Sequence, residues 1–269
     1  MEILKEIKRH FYIYLVFIKN CLIKQMEYRT NFFLFIAIEV AYLFVKILYI
    51  YVVNKVGVDI YGLSPNAIFL FTGSFIIMTG IYMSLFFFNF SNIQNYIREG
   101  SLDLFITKPV SLQFIVTLRN VDLGSAIPNI VGGIIIVVIG WQRMGLAVNF
   151  RNIAGYVGYL ISGTIITYSV MLLPQLLCFW VVKSQSLREV VDSMWDFNNM
   201  PMNIYNRWMR IGGVFIFPIF LVANFSPLYV LGKLNNIYIV WGIVAPVLFF
   251  FLTRILWKIS IRNYTSASS

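Results

Sequence analysis

The sequence has few charged residues and few of the side chains from which metal and disulfide sites are built. Only 12% of its 269 residues are charged, whereas a typical soluble domain has about 25%. Its two cysteines, Cys21 and Cys178, lie far apart and indicate neither a disulfide framework nor a paired-cysteine metal site. A single histidine, His10, excludes a histidine-rich metal site or proton relay.

Motifs of nucleotide-binding and hydrolytic enzymes are also missing. The sequence contains no G-x-x-x-x-G-K-[ST] loop for phosphates, no G-x-S-x-G turn and no H-E-x-x-H helix. We therefore expect that the chain is not an enzyme, that none of its residues is catalytic, and that it holds no metal or cofactor.

Acidic residues are scarce too. Among the 11 Asp and Glu residues, only Glu39 lies clearly within an apolar run. An ion-coupled secondary transporter usually has several ionisable groups within the membrane, and many such transporters contain an inverted repeat that is not evident here. That function stays open as an alternative, as does a non-transporting membrane scaffold.

Long apolar runs account for most of the remaining sequence. Hydrophobic residues make up 59% of the chain, and a helix needs about 20 of them to cross a hydrocarbon core about 30 Å thick. The runs are apolar on all sides rather than alternating, which disfavours barrel strands. The sequence predicts an all-α membrane protein with six transmembrane helices, at residues 31–53, 67–90, 121–141, 153–182, 211–231 and 237–257.

The apolar run in the first 30 residues, Phe11 to Ile18, is short, and Lys19 and Lys24 interrupt its extension. Apolar side chains recur at spacings of three and four from Phe11 to Met26, and basic residues flank this face. This pattern predicts a cytoplasmic amphipathic helix over residues 1–30 that lies in the membrane interface. A seventh span is the alternative, but it would place Lys19 deep in lipid.

Basic residues are distributed unevenly between the predicted loops. If both termini are in the cytoplasm, sixteen of the 21 basic residues lie on the cytoplasmic side. Lys46 lies within the first span, and the four on the outer side are Lys55, Arg143, Arg151 and Lys233. This bias follows the positive-inside rule. It predicts a multi-pass protein of the cell (inner or plasma) membrane, and it explains the net charge of +10 without nucleic-acid binding. The membrane domain then covers residues 31–258, and residues 259–269 form a cytoplasmic tail.

A polar stretch between long apolar runs is NYIREGSLDLFITKP, within the predicted cytoplasmic link 91–114 between spans two and three. Gly100 is suited to end one helix with a left-handed turn, and Ser101 is suited to cap a second, short helix. Asp103 lies in the first turn of that helix and Lys108 in its last, and Pro109 ends it.

This short helix is predicted to carry an apolar face, because its apolar residues recur at i, i+3 and i+4. The residues of that face are Leu102, Phe105 and Ile106. A rigid, capped helix of this kind predicts a docking element for a cytoplasmic partner. The alternative is a solvated loop that only reverses the chain.

Three segments resemble one family of membrane proteins. IREGSLDLFITKP resembles the I-R-x-G-x-L-D-x-x-x-x-[KR]-P segment of ABC-2 type permeases, in the branch of six-span export subunits. FIFPIFLVANFSPLYVLGK is similar to the pattern of proline, N-[FY]-x-P and L-G-K in that branch. FNNMPMNIY is similar to the short cytoplasmic stretch before its fifth span.

This resemblance implies a permease subunit of an ATP-driven exporter. Its implied partners are two copies of a separate ABC ATPase subunit, which bind the ATP, and a second permease subunit that is either identical or different. The helix between spans two and three would be a coupling helix that contacts the ATPase, and the N-terminal helix would be the connecting helix. The residues that match the motif are Arg98, Glu99, Gly100, Leu102, Asp103, Lys108 and Pro109, beside which the apolar face adds Phe105 and Ile106.

The predicted fifth span contains helix-breaking residues. Pro218 and Pro227 interrupt it, and Asn224 lies between them. Irregular backbone at membrane depth requires cover by protein or water, so we expect the helix to break near Asn224 and a short re-entrant segment to follow. One ordinary kinked helix is the alternative.

A carboxylate inside the first span is the remaining candidate. Glu39 lies near the centre of this span, and Lys46 is too distant along the helix for the usual i, i+4 pair. One interpretation is that Glu39, like Asn224 and Pro227, belongs to the transport pathway or its gate. A structural hydrogen bond from Glu39 to another span is the favoured one.

Overall fold

Helices and their connecting turns make up the fold. The computed structural model describes residues 2–57, 59–180 and 185–264, and this part of the chain contains no strand beyond an isolated bridge between Ile60 and Leu63. Five of its helices are long and apolar enough to cross a membrane, and a bent pair gives a sixth span if it is counted as one. The prediction of an all-α membrane protein is therefore confirmed.

The long helices match the predicted spans closely. The first helix, α1, covers Glu2–Glu27, and only Tyr28 separates it from α2, the first candidate span. The five long candidate spans are α2 (Arg29–Val56), α3 (Ala67–Arg98), α6 (Leu123–Arg143), α7 (Phe150–Phe179) and α11 (Asn236–Ile261). Part of the predicted fourth span, residues 181–182, lies outside the described residues, as do residues 265–269 of the predicted tail.

Short helices connect the long ones. Two of them, α4 (Leu102–Ile106) and α5 (Leu112–Leu118), link α3 to α6. An amphipathic helix, α8 (Gln185–Asp196), follows α7. Two 3-10 turns come next, at Phe197–Asn199 and Met202–Ile204.

Helices α3 and α6 approach each other closely because glycines face each other at their contact. A Cβ atom on Gly133 would lie 2.9 Å from the carbonyl oxygen of Gly73, and one on Gly73 would lie 3.0 Å from that of Gly133. Small residues at such contacts let two transmembrane backbones pack directly. This pair forms one side of the bundle core.

Helix α2 is the least buried of the long helices. Only Ile50 is buried along its length, whereas most side chains of the first part of α3 are buried. Because no hydrophobic force drives helices together inside lipid, α2 depends on a few specific contacts with its neighbours.

The bent pair consists of α9, taken here as Arg207–Ile216, and α10 (Leu221–Val230), which meet at 104°. The break lies at residues 217–220, upstream of the position expected from the sequence. Pro218 lies in this gap, and the N–H of Phe220 closes it by donating to the Gly213 carbonyl at 3.0 Å. Proline has no N–H for a helical hydrogen bond, and the chain restarts its helix before Asn224. Asn224 and Pro227 therefore lie inside α10.

Candidate functional site

The polar stretch at the end of α3 and in α4 projects well beyond the membrane-spanning part of the bundle. Helix α3 has 32 residues, which corresponds to roughly 48 Å at 1.5 Å per residue. A hydrocarbon core is about 30 Å thick. The end of α3 and the helix α4 that follows it are thus held outside the hydrocarbon, at one end of the bundle.

The turn between these two helices has the conformation expected from its glycine. Gly100 has φ +70°, and its N–H donates to the Ile97 carbonyl at 3.3 Å. This left-handed conformation is easiest for glycine. The expected cap at Ser101 is wrong, because Ser101 itself has helical backbone angles and its side chain makes no capping bond.

The short helix α4 turns a different face outward from the one predicted. Leu102 is fully buried, whereas Leu104 is 66% exposed and Ile106 is 50% exposed. Phe105 is half-buried: its ring meets that of Tyr96 edge-on at 5.1 Å, and the Arg119 guanidinium lies 5.2 Å from it.

The predicted apolar face of Leu102, Phe105 and Ile106 is therefore divided. Leu102 and Phe105 anchor α4 to its own chain. We call the end of α3 together with the Gly100 turn and α4, residues 95–109, the tip, and its accessible apolar side chains are Leu104 and Ile106. Sequence reasoning missed Leu104, because i, i+4 spacing identifies a face without saying whether that face points inward. The predicted contact of this segment with an ATPase stays a prediction.

Charged side chains surround these exposed apolar ones. Arg98 and Glu99 form an ion pair at 3.9 Å with both side chains about 60% exposed, so the pair adds little stability. Lys108 and Pro109 are also exposed and follow the end of α4 at Ile106, so Lys108 does not lie in the last turn as predicted. The tip thus presents apolar side chains within a charged rim.

The C-terminal end of the chain lies beside this tip. Burial, and then the neighbouring Asp103 carboxylate, raise the pKa of Tyr264 above its usual value. Both a side-chain hydrogen bond with Asp103 and the negative charge of its carboxylate contribute to this rise. Asp103 therefore faces the end of α11 rather than open solvent.

Helix α1 is fastened along the connection between α4 and α6. Phe114 of α5 packs against the rings of His10 and Phe17, at centroid distances of 5.0 and 5.9 Å. Gln25 donates to the Val121 carbonyl at 2.7 Å, and its side-chain oxygen accepts from the N–H of Leu123 at 3.2 Å. The amphipathic helix is therefore joined to the same connection between α3 and α6 that carries the tip.

Inside the bundle, the predicted pathway residue Glu39 makes a hydrogen bond to another span. Asn129 of α6 donates to Glu39 Oε2 at 2.8 Å and also to the Ser125 carbonyl at 2.9 Å. The predicted hydrogen bond from Glu39 to another span is therefore confirmed. A role of Glu39 in gating stays a prediction.

A segment expected in the cytoplasm lies inside the bundle instead. FNNMPMNIY belongs to what we call the inserted segment, residues 185–205, which comprises α8 and the two turns after it. Lys46 Nζ donates to Asn199 Oδ1 at 2.8 Å, and Trp195 stacks on Tyr82 with 4.4 Å between ring centroids. Lys46 is roughly 15 Å from the Val56 end of α2, which is about half of the membrane thickness.

The predicted pathway residue Asn224 holds this inserted segment in place. Its side-chain oxygen accepts from the Met202 N–H at 2.8 Å, and Asn224 is 1% exposed. Pro227 lies one turn further along α10 and is also buried. Both residues are buried in this conformation, and their predicted role in the pathway or gate stays a prediction.

Comparison with known proteins decides the family. The sequence profile of a family described as ABC-2 family transporter protein matches residues 40–268. The chain belongs to the ABC-2 transporter family. Searches of curated proteins and of solved structures find no match. As an ABC-2 protein with several apolar helices, the chain is a multi-pass membrane protein and a transporter permease. The profile covers the tip, the inserted segment and α10, whereas α1 and the start of α2 precede it.

Proposed function

We propose that this ABC-2 permease forms the substrate pathway of an ATP-driven exporter and works with a separate ATPase subunit. The permease carries no phosphate-binding loop of its own, so ATP is bound and hydrolysed by that partner. The assembly contains two ATPase subunits and two permease subunits, which are identical or different, in the cell membrane with both permease termini in the cytoplasm.

The observation that carries this proposal is the projecting tip of an ABC-2 family chain. Helix α3 continues beyond the membrane, Gly100 turns the chain, and α4 is fastened by Leu102 and Phe105. A rigid element with exposed Leu104 and Ile106 inside a charged rim has the chemistry of a protein-docking surface. Movement of the ATPase would reach the spans through α3 without an intervening flexible linker.

Helix α1 supports the same assignment. It is bonded through Gln25 to Val121 and Leu123, at the start of α6. A partner that presses on the cytoplasmic side of α1 would therefore act on α6 as well as on α2. We assign α1 to the connecting helix of the family for this reason.

The docking test uses the two exposed apolar side chains of the tip. A buried leucine contributes on the order of 1.5–3 kcal/mol, and each 1.4 kcal/mol is about tenfold in affinity. Leu104→Asp and Ile106→Asp should each weaken ATPase binding by about tenfold or more and lower transport-linked ATP hydrolysis. Binding is measured as the amount of ATPase that co-purifies with each permease variant from the native host. Native mass spectrometry of the wild-type complex should show two ATPase and two permease subunits.

Val148→Asp is the matched control, because it also replaces an exposed apolar side chain by an aspartate but lies in the loop between α6 and α7, away from the tip. It should bind ATPase as the wild type does. Membrane insertion of each variant is checked by extracting the protein from the membrane fraction with detergent and recording its elution profile. Wild-type ATPase binding and transport in both Leu104→Asp and Ile106→Asp would refute the proposed role of the tip.

A further inference from the structure

A large cavity lies on the flank of the permease, apart from the tip. Its volume is about 900 Å³, and α1, α3, α5, α7 and α11 form its walls. Most of the lining is apolar, and the residues toward the membrane centre are Leu85, Thr164, Ile165, Phe250 and Phe251. Cavities of about 300–1,000 Å³ accommodate a small organic ligand.

One end of this cavity carries a positive charge within a hydrogen-bond network. The Arg254 guanidinium donates to Gln113 Oε1, and the Gln113 side chain donates to the Tyr168 hydroxyl at 2.9 Å. Thr117 lies 3.2 Å from the same hydroxyl. These neutral groups orient Arg254 while leaving its charge uncompensated.

No carboxylate neutralises this arginine within the described residues. The salt bridge between Arg98 and Glu99 joins two residues that do not line the cavity. Glu6 is the one carboxylate among the residues that line the cavity, and it lies on the exposed side of α1. Since arginine has five N–H donors, most of those on Arg254 stay available to an anionic ligand.

The position of Arg254 along its helix corresponds to a membrane boundary. Helix α11 begins at Asn236, and a rise of 1.5 Å per residue places Arg254 roughly 27 Å further along. This distance is close to the thickness of the hydrocarbon core, about 30 Å. Arg254 is thus at headgroup depth, on the cytoplasmic side in the proposed topology, while Phe250 and Phe251 extend into the acyl region.

We propose that this cavity binds an anionic phospholipid of the cytoplasmic leaflet. The phosphate of the lipid accepts hydrogen bonds from Arg254, a geometry for which the planar guanidinium is suited, and an acyl chain lies against Thr164, Ile165 and Phe250. Helix α1 covers the cavity from the interface through Ile7, Phe11 and Tyr14. The bound lipid then becomes part of the contact between α1 and the spans.

The test compares phospholipids on the purified full-length permease. Spin-labelled phosphatidylglycerol and phosphatidylcholine are added to nanodiscs containing the protein, and the fraction of immobilised label is measured for each. The wild type should prefer phosphatidylglycerol. Because one basic residue near a membrane surface contributes about 1 kcal/mol, Arg254→Gln should reduce this preference roughly fivefold.

Two further variants distinguish a lipid site from a general charge effect. Lys258→Gln removes an exposed charge one turn along the same helix, outside the cavity, and should keep the preference. Thr164→Phe fills the apolar part while retaining Arg254, and it should reduce immobilisation of phosphatidylglycerol. Thr164→Phe also supplies the test if Arg254→Gln does not fold.

Three results would overturn the proposal. Equal immobilisation of both lipids by the wild type would show that no anionic site exists. Equal losses in Lys258→Gln and Arg254→Gln would indicate surface charge alone. Displacement of the labelled lipid by soluble glycerol 3-phosphate would show a site for free phosphate esters, in which the acyl chain has no part.

Discussion

At the scale of single residues, three polar side chains inside the bundle make hydrogen bonds to other elements of the fold. Glu39 binds Asn129, Lys46 binds Asn199, and Asn224 binds the backbone of Met202. Polar groups inside a membrane protein are costly unless they are paired. Each of these three hydrogen bonds therefore fixes the position of one element relative to another.

The bond from Asn224 to Met202 makes a testable contribution to stability. Asn224→Ala leaves the buried Met202 N–H without its acceptor, which should cost about 1–3 kcal/mol. The thermal midpoint of the purified permease should fall by several degrees. Asn263→Ala removes an amide from an exposed position and should change the midpoint little; an equal effect of both variants would contradict a specific role for Asn224.

Single residues were only partly predictable from the sequence. An isolated carboxylate in a span implies a polar partner, so the hydrogen bond of Glu39 was expected. The partner Asn129 was not, because it lies 90 residues away and nothing local identifies it. Ser101 shows the opposite failure: its residue type suits a cap, but the Gly100 turn leaves it in a helical conformation.

At the scale of elements, one close contact between α3 and α6 depends on two glycines. Gly73 and Gly133 face each other so closely that an added Cβ would meet backbone atoms. Backbone atoms cannot move aside as a flexible side chain can, so the helices themselves must separate.

Gly133→Ala should therefore destabilise the permease by about 1–3 kcal/mol, the usual cost of overpacking. The measurement is the thermal midpoint of purified protein, which should fall by several degrees. Gly158→Ala on α7 is the matched control, since no atom lies within 4 Å of its added Cβ. A midpoint that does not differ between the two variants would contradict the close contact.

Elements with long apolar runs were predicted well, because length and hydrophobicity alone specify a spanning helix. Helix α3 begins at Ala67 as expected. Elements whose position depends on tertiary contacts were predicted poorly. The tip was identified by Gly100 and Pro109, yet the outward side of α4 was wrong, because Tyr96 and Arg119 decide which side is buried.

At the scale of the whole molecule, the topology rests on the distribution of basic residues and on the bent pair that completes six spans. In a protein without Cys21 and Cys178, Val148→Cys should react with an impermeant thiol reagent added to intact cells. Thr107→Cys should react only after the cells are opened. Both positions are exposed, so the reverse pattern would refute the proposed orientation.

The class of the whole molecule followed from composition, and its family from the motif around Gly100. The inserted segment was missed for a physical reason. Residues 185–205 are amphipathic and polar, which is typical of a cytoplasmic stretch, and the partners Lys46 and Asn224 hold Asn199 and Met202 of this segment inside the bundle. Those partners lie in other spans, and no pattern within the segment reveals them.

The sparse packing of α2 has a consequence for biosynthesis. Asn129 is made 90 residues after Glu39, and Asn199 is made 153 residues after Lys46. At roughly 5–20 residues per second, the first delay is about 5–20 s and the second about 8–30 s. During that time the nascent helix holds both charged side chains in or near lipid without these partners. During this interval the insertion machinery, rather than the finished fold, must keep the polar side chains of the first transmembrane helix away from lipid.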